Sequence, residues 1–317
     1  MVPPLDRRKK PIAMKRSPAA RYLVPLLLAG LWLGPGVAAE VFAGQGTGVG
    51  QGSENALLWR IDGPAPQSSY LFGTMHSADP RVTQLPPTVA EAFRASDSVV
   101  LELVPDAGTL AEAVQLMCCG NDVRISDLLG PEEYAQVAEA MALRGIGAEA
   151  LDRMRPWAVA VTLATPPNEG QDVLDTRLYR AAKALDKPVH GLESPAEQLA
   201  IFSTLGADEE RQLLRSVLDQ LDEMQTMLDV LHEAYLARDL NRIAALSEEW
   251  VAEEDAALWE ALMAELVDSR NRRMAERLQP LLAEGGLFVA VGALHLPGES
   301  GLIRLLRARG YRLEPLH

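Results

Sequence analysis

The sequence predicts an α/β fold: a mixed central sheet flanked by helices, with a large helical insertion ahead of the last strands. Three observations carry this. Short apolar runs bounded by Gly, Pro or Asp, the mark of buried strands, fall near both ends of the chain. Amphipathic helical stretches lie between them. One stretch, residues 195–283, holds Glu, Leu, Ala and Arg at helical spacing with few breakers. Strands at both ends around a helical block indicate an α/β core with an insertion. With 48% hydrophobic residues the chain can bury a large core.

Taken in order, "ALLWRID" and "SSYLFGT" are apolar runs separated by "GPAPQS", which predicts a hairpin. "SADPRVTQLPPTVAEAF" reads as a turn and then a helix from near Pro87. "DSVVLELVPD" is a buried strand bounded by Asp97 and Pro105. Residues 108–150 are helical, with interruptions at Gly120 and Gly130. "PWAVAVTLA" is ambiguous between helix and strand, because it is apolar at every position but one. "VLDTRLYRAAKALD" is an amphipathic helix ending before Pro188, and "PVHGLES" a short strand. After the helical block, "GLFVAVGALH" follows a Gly-Gly stop as a strand. "GESGLIRLLRARG" is a helix and "YRLEPL" a last strand.

The N-terminus reads as a secretory signal. Arg7–Arg21 is basic, "YLVPLLLAGLWLGPGV" is apolar, and "AAE" offers a cut after Ala39. Pro25, Gly30, Gly34, Pro35 and Gly36 make the apolar run a poor permanent span, so no stable membrane insertion is expected after cleavage. Met14 begins a tighter signal of the same kind. Residues 40–55 contain the Gly-rich "EVFAGQGTGVGQGS", a flexible lead-in, and residues 56–317 form the single remaining domain. N-terminal sequencing of exported material is expected to begin at Glu40. A chain that keeps Tyr22–Val37 and partitions with membranes would overturn this reading.

Removing the seven basic residues and one acidic residue of 1–39 from totals of 30 and 44 leaves 23 and 43, a net charge of −20. Such a surface repels nucleic acid and anionic lipid, so the expected partner is a peptide or small-molecule substrate. The location implied is periplasmic or extracellular. The only two cysteines, Cys118 and Cys119, are adjacent and cannot staple distant segments.

Chemistry concentrates at one repeated unit. "LFGTMH" and "AVGALH" each place an apolar run, a glycine, two residues and a histidine in a chain with five histidines. The glycine permits a sharp turn or a close backbone approach. His76 and His295 would then emerge at strand ends, where open α/β sheets bind ligands. Two imidazoles in one crevice suit a divalent transition metal. A carboxylate must join them, with one position left for water. Glu102, in the apolar strand "VVLELVPD", is the first candidate, as metal ligand or general base. Glu193, in "VHGLES", is a further metal-ligand candidate, with His190 in reserve. In "DSRNRRMAERL", Arg270 or Arg273 would hold a substrate carbonyl or carboxylate. "HEAYL" opens like a zinc-protease helix but has Leu236 where His is required. His232 is therefore assigned to a solvated helix face. No Gly-x-Ser-x-Gly supports a serine nucleophile.

These residues, in the order "LWRI…SYLFGTMHSAD", "SDSVVLEL", "KPVHGLES…EQL", "SRNRRMAERL", "FVAVGALHLPGESGLIRLLRARGY", resemble the TraB/GumN family. That family is related to the Tiki proteases and, more distantly, to erythromycin-esterase-like and ChaN-like proteins. The resemblance runs from about Leu58 to Leu316. It implies an erythromycin-esterase/Tiki-like fold. It also implies a peptidase dependent on manganese, cobalt or zinc, with Gly73–His76 and Gly292–His295 as the paired motifs and Glu102 between them. Arg270 and Asn271 fall on the family's Arg-Asn pair. Two other readings stay open. One is a binding protein that sequesters a peptide signal, haem or metal in the same crevice. The other is a metal-independent, esterase-like hydrolase with His76 as general base.

Overall fold

A computed structural model of the chain describes residues 56–118, 124–165, 171–249 and 264–317. The proposed signal and lead-in lie outside them, as does Cys119.

Strand β1 (Leu58–Asp62) and β2 (Ser69–Thr74) pair antiparallel, with Leu58 opposite Phe72. Ser68 Oγ donates to Asp62 Oδ1 at 2.6 Å and closes the hairpin loop. Two short helices follow, α1 (Pro80–Thr83) and α2 (Pro87–Ala95), each with proline near its start, where the missing N–H costs nothing. β3 is Ser98–Leu101. It ends one residue before Glu102, which therefore lies at the strand's tip and not within it. The backbone there turns to pair with the 192–193 segment: Glu102 O accepts from Glu193 N at 2.8 Å.

Helices α3 (Ala107–Met117), α4 (Ile125–Leu128), α5 (Pro131–Ala142) and α6 (Ala148–Leu151) come next. The ambiguous "PWAVAVTLA" is a helix, α7 (Pro156–Ala164). It is buried almost all round, so its apolar residues show no period that would separate helix from strand. α8 (Leu174–Ala184) leads to β4 (Val189–Gly191). The helical insertion contains α9 (Pro195–Leu199), a 3₁₀ turn (Ala200–Thr204), α10 (Ala207–Asp219), α11 (Leu221–Leu236) and α12 (Leu240–Glu249). A π turn (Ala264–Ser269) then runs into α13 (Arg270–Glu284). Gly285 and Gly286, at φ 80° and 69°, stop α13 in a left-handed conformation that other residues resist. β5 (Leu287–Gly292), helix α14 (Leu302–Ala308) and β6 (Arg312–Pro315) complete the chain.

The six strands form one mixed sheet in the order β4-β3-β5-β2-β1-β6. The pairs β4–β3, β3–β5 and β5–β2 are parallel, while β1 and β6 run antiparallel beside them. β5 lies at the centre with all six residues buried, as a parallel strand covered on both faces requires. Phe288 on β5 packs against Phe72 and Phe93 at centroid distances of 5.8 and 5.2 Å. This order brings the carboxyl ends of β2, β5, β3 and β4 to one edge of the sheet. Among the described residues no helix is long and apolar enough to cross a membrane.

Candidate active site at the strand ends

The parallel register places Gly73 opposite Val291 and Thr74 opposite Gly292. The two Gly-x-x-His units thus leave neighbouring strands within one residue of each other. A Cβ at Gly73 would sit 3.1 Å from both Ala293 Cα and Leu296 Cδ2. The second turn thus crosses closely over the first glycine, where a side chain would have to push its neighbours aside by a few tenths of an ångström. His295 closes a 3₁₀ turn (Ala293–His295) and is buried, while His76 keeps a side-chain exposure of 12% at the crevice edge.

His295 is held by α13. Its Nδ1 lies 2.7 Å from Asn271 Oδ1, and Asn271 Nδ2 donates to Ser300 O at 2.9 Å. Because Ser300 O can only accept, the amide is oriented with Oδ1 toward the imidazole. His295 Nδ1 must then carry the hydrogen, leaving the lone pair on Nε2. Burial, reinforced by the nearby Arg270 charge, lowers the His295 pKa to about 3, so the ring is neutral at physiological pH.

Nε2 of His295 faces Glu102 Oε1 at 3.6 Å. Oε1 also accepts from Gly292 N at 2.6 Å, and Oε2 accepts from Arg270 Nη2 at 2.6 Å and Gln198 Nε2 at 3.1 Å. Glu193 is fixed by the same arginine: its Oε2 accepts from Arg270 Nε at 2.8 Å and Nη2 at 2.7 Å, and its Oε1 accepts from Arg273 Nη2 at 3.3 Å. Arg270 Nη1 donates to Leu266 O at 3.2 Å. Burial works against the Arg270 charge, but the Glu102 and Glu193 carboxylates outweigh it and hold the guanidinium firmly protonated.

These contacts place the other expected residues. Glu193 is the counter-ion of Arg270 and Arg273, with both oxygens engaged by them. Arg270 directs its Nε, Nη1 and Nη2 to two carboxylates and a carbonyl. It holds Glu102 by Oε2. Asn271 orients His295. His190 is exposed on edge strand β4, where it pairs with Val100 of β3. His232 is buried, not solvated. Its Nδ1 donates to Leu228 O at 2.8 Å, so its Nε2 accepts from Ser77 Oγ at 2.7 Å. One turn on, Tyr235 OH donates to Gly73 O at 2.9 Å, and burial with the Asp175 charge pushes its pKa up. Helix α11 therefore grips the first Gly-x-x-His loop at both ends.

Sequence reasoning missed Gln198, Tyr235 and Asp175. Each is a polar residue on a helix whose position over the strand ends is set by tertiary packing. Asp175 Oδ2 lies 3.7 Å from His76 Nδ1, and Asp175 Oδ1 accepts from Thr74 Oγ1 at 2.8 Å.

Among the described residues, no three His, Cys, Asp or Glu side chains gather tightly enough to enclose a metal as they stand. The donor chemistry nevertheless suits a cation. His295 Nε2 and Glu102 Oε1 are both acceptors, and they face each other without a hydrogen between them. Of the four carboxylate oxygens in the cluster, only Glu102 Oε1 does not receive a guanidinium N–H.

A family model described as the TraB/PrgY/gumN family matches residues 57–315. Among curated proteins the chain is 27% identical to metalloprotease TIKI2 of Danio rerio, over 84% of this chain and 62% of the relative. It is 25% identical to metalloprotease TIKI1 of Homo sapiens, over 83% and 62%. It is also 25% identical to the uncharacterized protein YbaP of Shigella flexneri, over 77% and 89%. The chain spans about three fifths of the length of these TIKI relatives. No solved structure matches it.

Proposed function

The chain belongs to the TraB/PrgY/gumN family, and from that membership and the strand-end geometry we propose that it is an exported, metal-dependent peptidase. The observation that carries the reading is the confrontation of His295 Nε2 with Glu102 Oε1 at 3.6 Å, one strand away from His76. Two acceptors turned on each other are unfavourable alone and favourable around a cation. The metalloprotease names of the TIKI relatives support the same chemistry.

In this reading His76, His295 and Glu102 hold a divalent ion such as manganese, cobalt or zinc. When bound, the ion polarises the scissile carbonyl and makes water a nucleophile at neutral pH. The protein's own groups prepare the site. Asn271 fixes the His295 tautomer. Arg270 and Gln198 lock Glu102 by Oε2, so Oε1 is the oxygen presented. Since His295 stays neutral down to about pH 3, protons do not compete for its lone pair near neutrality. Arg273 takes the substrate-anchoring role first expected of either arginine. Its side chain keeps an exposure of 37% while Nη2 donates to Glu193 Oε1, so of the two arginines it is the one a substrate carbonyl or carboxylate can reach.

The test is turnover of a mixed peptide library by purified protein, with and without chelator, and with Mn²⁺, Co²⁺ or Zn²⁺ restored. Cleavage that chelator stops and metal restores is expected. Cleavage indifferent to chelator would move the reading to a metal-free hydrolase with His76 as base. Retention of peptide without cleavage would make the crevice a binding site.

A further inference from the structure

The crevice carries one under-used charge of each sign, and the two stand at opposite ends. At the β2 end is Asp175. It accepts one hydrogen bond among the described residues, from Thr74 Oγ1 to Oδ1 at 2.8 Å, and no Arg or Lys among them pairs with it. Its side chain keeps an exposure of 24%, beside His76. At the β4 end is Arg273. It makes one long hydrogen bond among the described residues, Nη2 to Glu193 Oε1 at 3.3 Å, and its side chain is 37% exposed. We infer that these two groups grip the charged ends of a short peptide, Asp175 taking the free α-amino group and Arg273 the free α-carboxylate. This rests on the peptidase reading above and names its substrate class. The grip itself involves no metal.

The neighbouring charges are already matched. Asp79 accepts from Arg81 N on Oδ1 and from Arg81 Nη2 on Oδ2, both at 2.8 Å, and Asp172 pairs with Arg180. Arg270 lies between Glu102 and Glu193, and Arg277 holds Glu197 at 2.6 Å and Leu192 O. Asp175 and Arg273 are left, and each is fixed to the sheet edge. Thr74 is the last residue of β2, so its hydroxyl pins Asp175 to that strand tip. Two residues past β4, Glu193 N donates to Glu102 O at 2.8 Å, which fixes the carboxylate that Arg273 meets at the β3–β4 tips. In the order β4-β3-β5-β2 three strand spacings separate these points, about 14 Å. An extended peptide advances about 3.3 Å per residue, so about four residues fill the span. Its middle would pass over His295 and Glu102, which follow β5 and β3. A peptide has one cationic and one anionic end, so the signs of the two groups also set its direction: N-terminus over β2, C-terminus over β4. Hydrogen bonds to ionised groups are the strong ones, and only a short peptide offers both ends within this span.

Binding is read by isothermal titration on the purified chain, with chelator in the buffer to hold metal-dependent turnover off. The probes are tetra-alanine with free ends, its N-acetyl form, its C-amide form and the doubly blocked form, with dialanine and octa-alanine for length. In wild type each block is expected to weaken binding about tenfold, the worth of one hydrogen bond to a charged group. Dialanine and octa-alanine should bind about tenfold more weakly than tetra-alanine, because each matches one end only. In Asp175→Asn, which keeps the acceptor for Thr74, acetylation should cost nothing further while amidation still costs about tenfold. In Arg273→Gln the pattern reverses. A merely structural role would instead shift the affinities of all four tetrapeptides together. That outcome would overturn the proposal, as would blocked tetra-alanine binding as well as the free peptide, equal affinity at all three lengths, or no binding of tetra-alanine. Should either variant not fold, the wild-type series decides the matter alone. Failure of the peptidase reading looks different: the crossed pattern of binding is present, but no peptide is cleaved once Mn²⁺, Co²⁺ or Zn²⁺ is restored.

Discussion

Substitution of either His76 or His295 by alanine is expected to abolish metal-dependent hydrolysis and to weaken divalent-ion binding by roughly a hundredfold or more, beyond the loss typical of an orienting partner. The double variant should be no worse than either single one, because groups that act as a unit are not additive. The two single variants should differ in stability. His295 is buried and satisfies Asn271 Oδ1, so its loss strands an acceptor and costs about 1–3 kcal/mol. His76 stands at the crevice edge and its loss costs less. His295 also gives the fold an acid dependence. A histidine whose pKa drops from 6.5 to about 3 on folding binds fewer protons folded than unfolded in that window. Its contribution to stability is therefore lost as pH falls from 6.5 toward 3, and that part of the loss should vanish in His295→Ala. Peptide hydrolysis, metal titration and melting curves on the same samples check these outcomes. Full activity in folded His76→Ala would end the metalloenzyme reading.

The strands and both Gly-x-x-His turns were legible because each is written locally. An apolar run, a glycine and a polar residue lie within six positions, and parallel strands buried on both faces need nothing more. The adjacency of β2 and β5 was not written locally, since it depends on a crossover of more than two hundred residues. What surrounds the histidines was least legible. Asp175, Gln198 and His232 reach the strand ends from three different helices, and each looks in sequence like an ordinary polar residue on a helix face; Asn271 stood out only through the family's Arg-Asn pair. His232 misled for this reason: the failed motif around it argued against a ligand, and exposure was inferred from that failure. Helix α11 instead lies over the first loop, where His232 has Ser77 as partner. The partner of Glu193 was not legible either, since a buried carboxylate is matched by a metal or by a cation of the protein, and the arginine that meets it lies 77 positions away.

Replacing that arginine is expected to produce the largest loss of stability of any single change at the site. Arg270→Met keeps the side chain's length and removes five donors. Glu193, with a side-chain exposure of 0%, and Glu102, at 13%, would then face each other across a vacated guanidinium. Breaking a buried pair by removing one partner costs about 3–5 kcal/mol, because the remaining charges stay desolvated. For a chain of this size that corresponds to a fall in melting temperature on the order of 10 °C. Adding Glu193→Gln to Arg270→Met should recover part of the loss, since one stranded charge is then gone. A loss in the double variant smaller than the sum of the two single losses is the sign of direct coupling. Hydrolysis should be lost as well, because Glu102 Oε2 loses its anchor and Oε1 no longer keeps its aim at His295. If Arg270 instead stabilised an oxyanion, Arg270→Met would lower kcat steeply while the melting temperature stayed near wild type, and Glu193→Gln would rescue nothing. Calorimetry of the three variants beside wild type separates the two: a large, partly rescued fall in melting temperature identifies Arg270 as the buried cation on which the geometry of Glu102 depends.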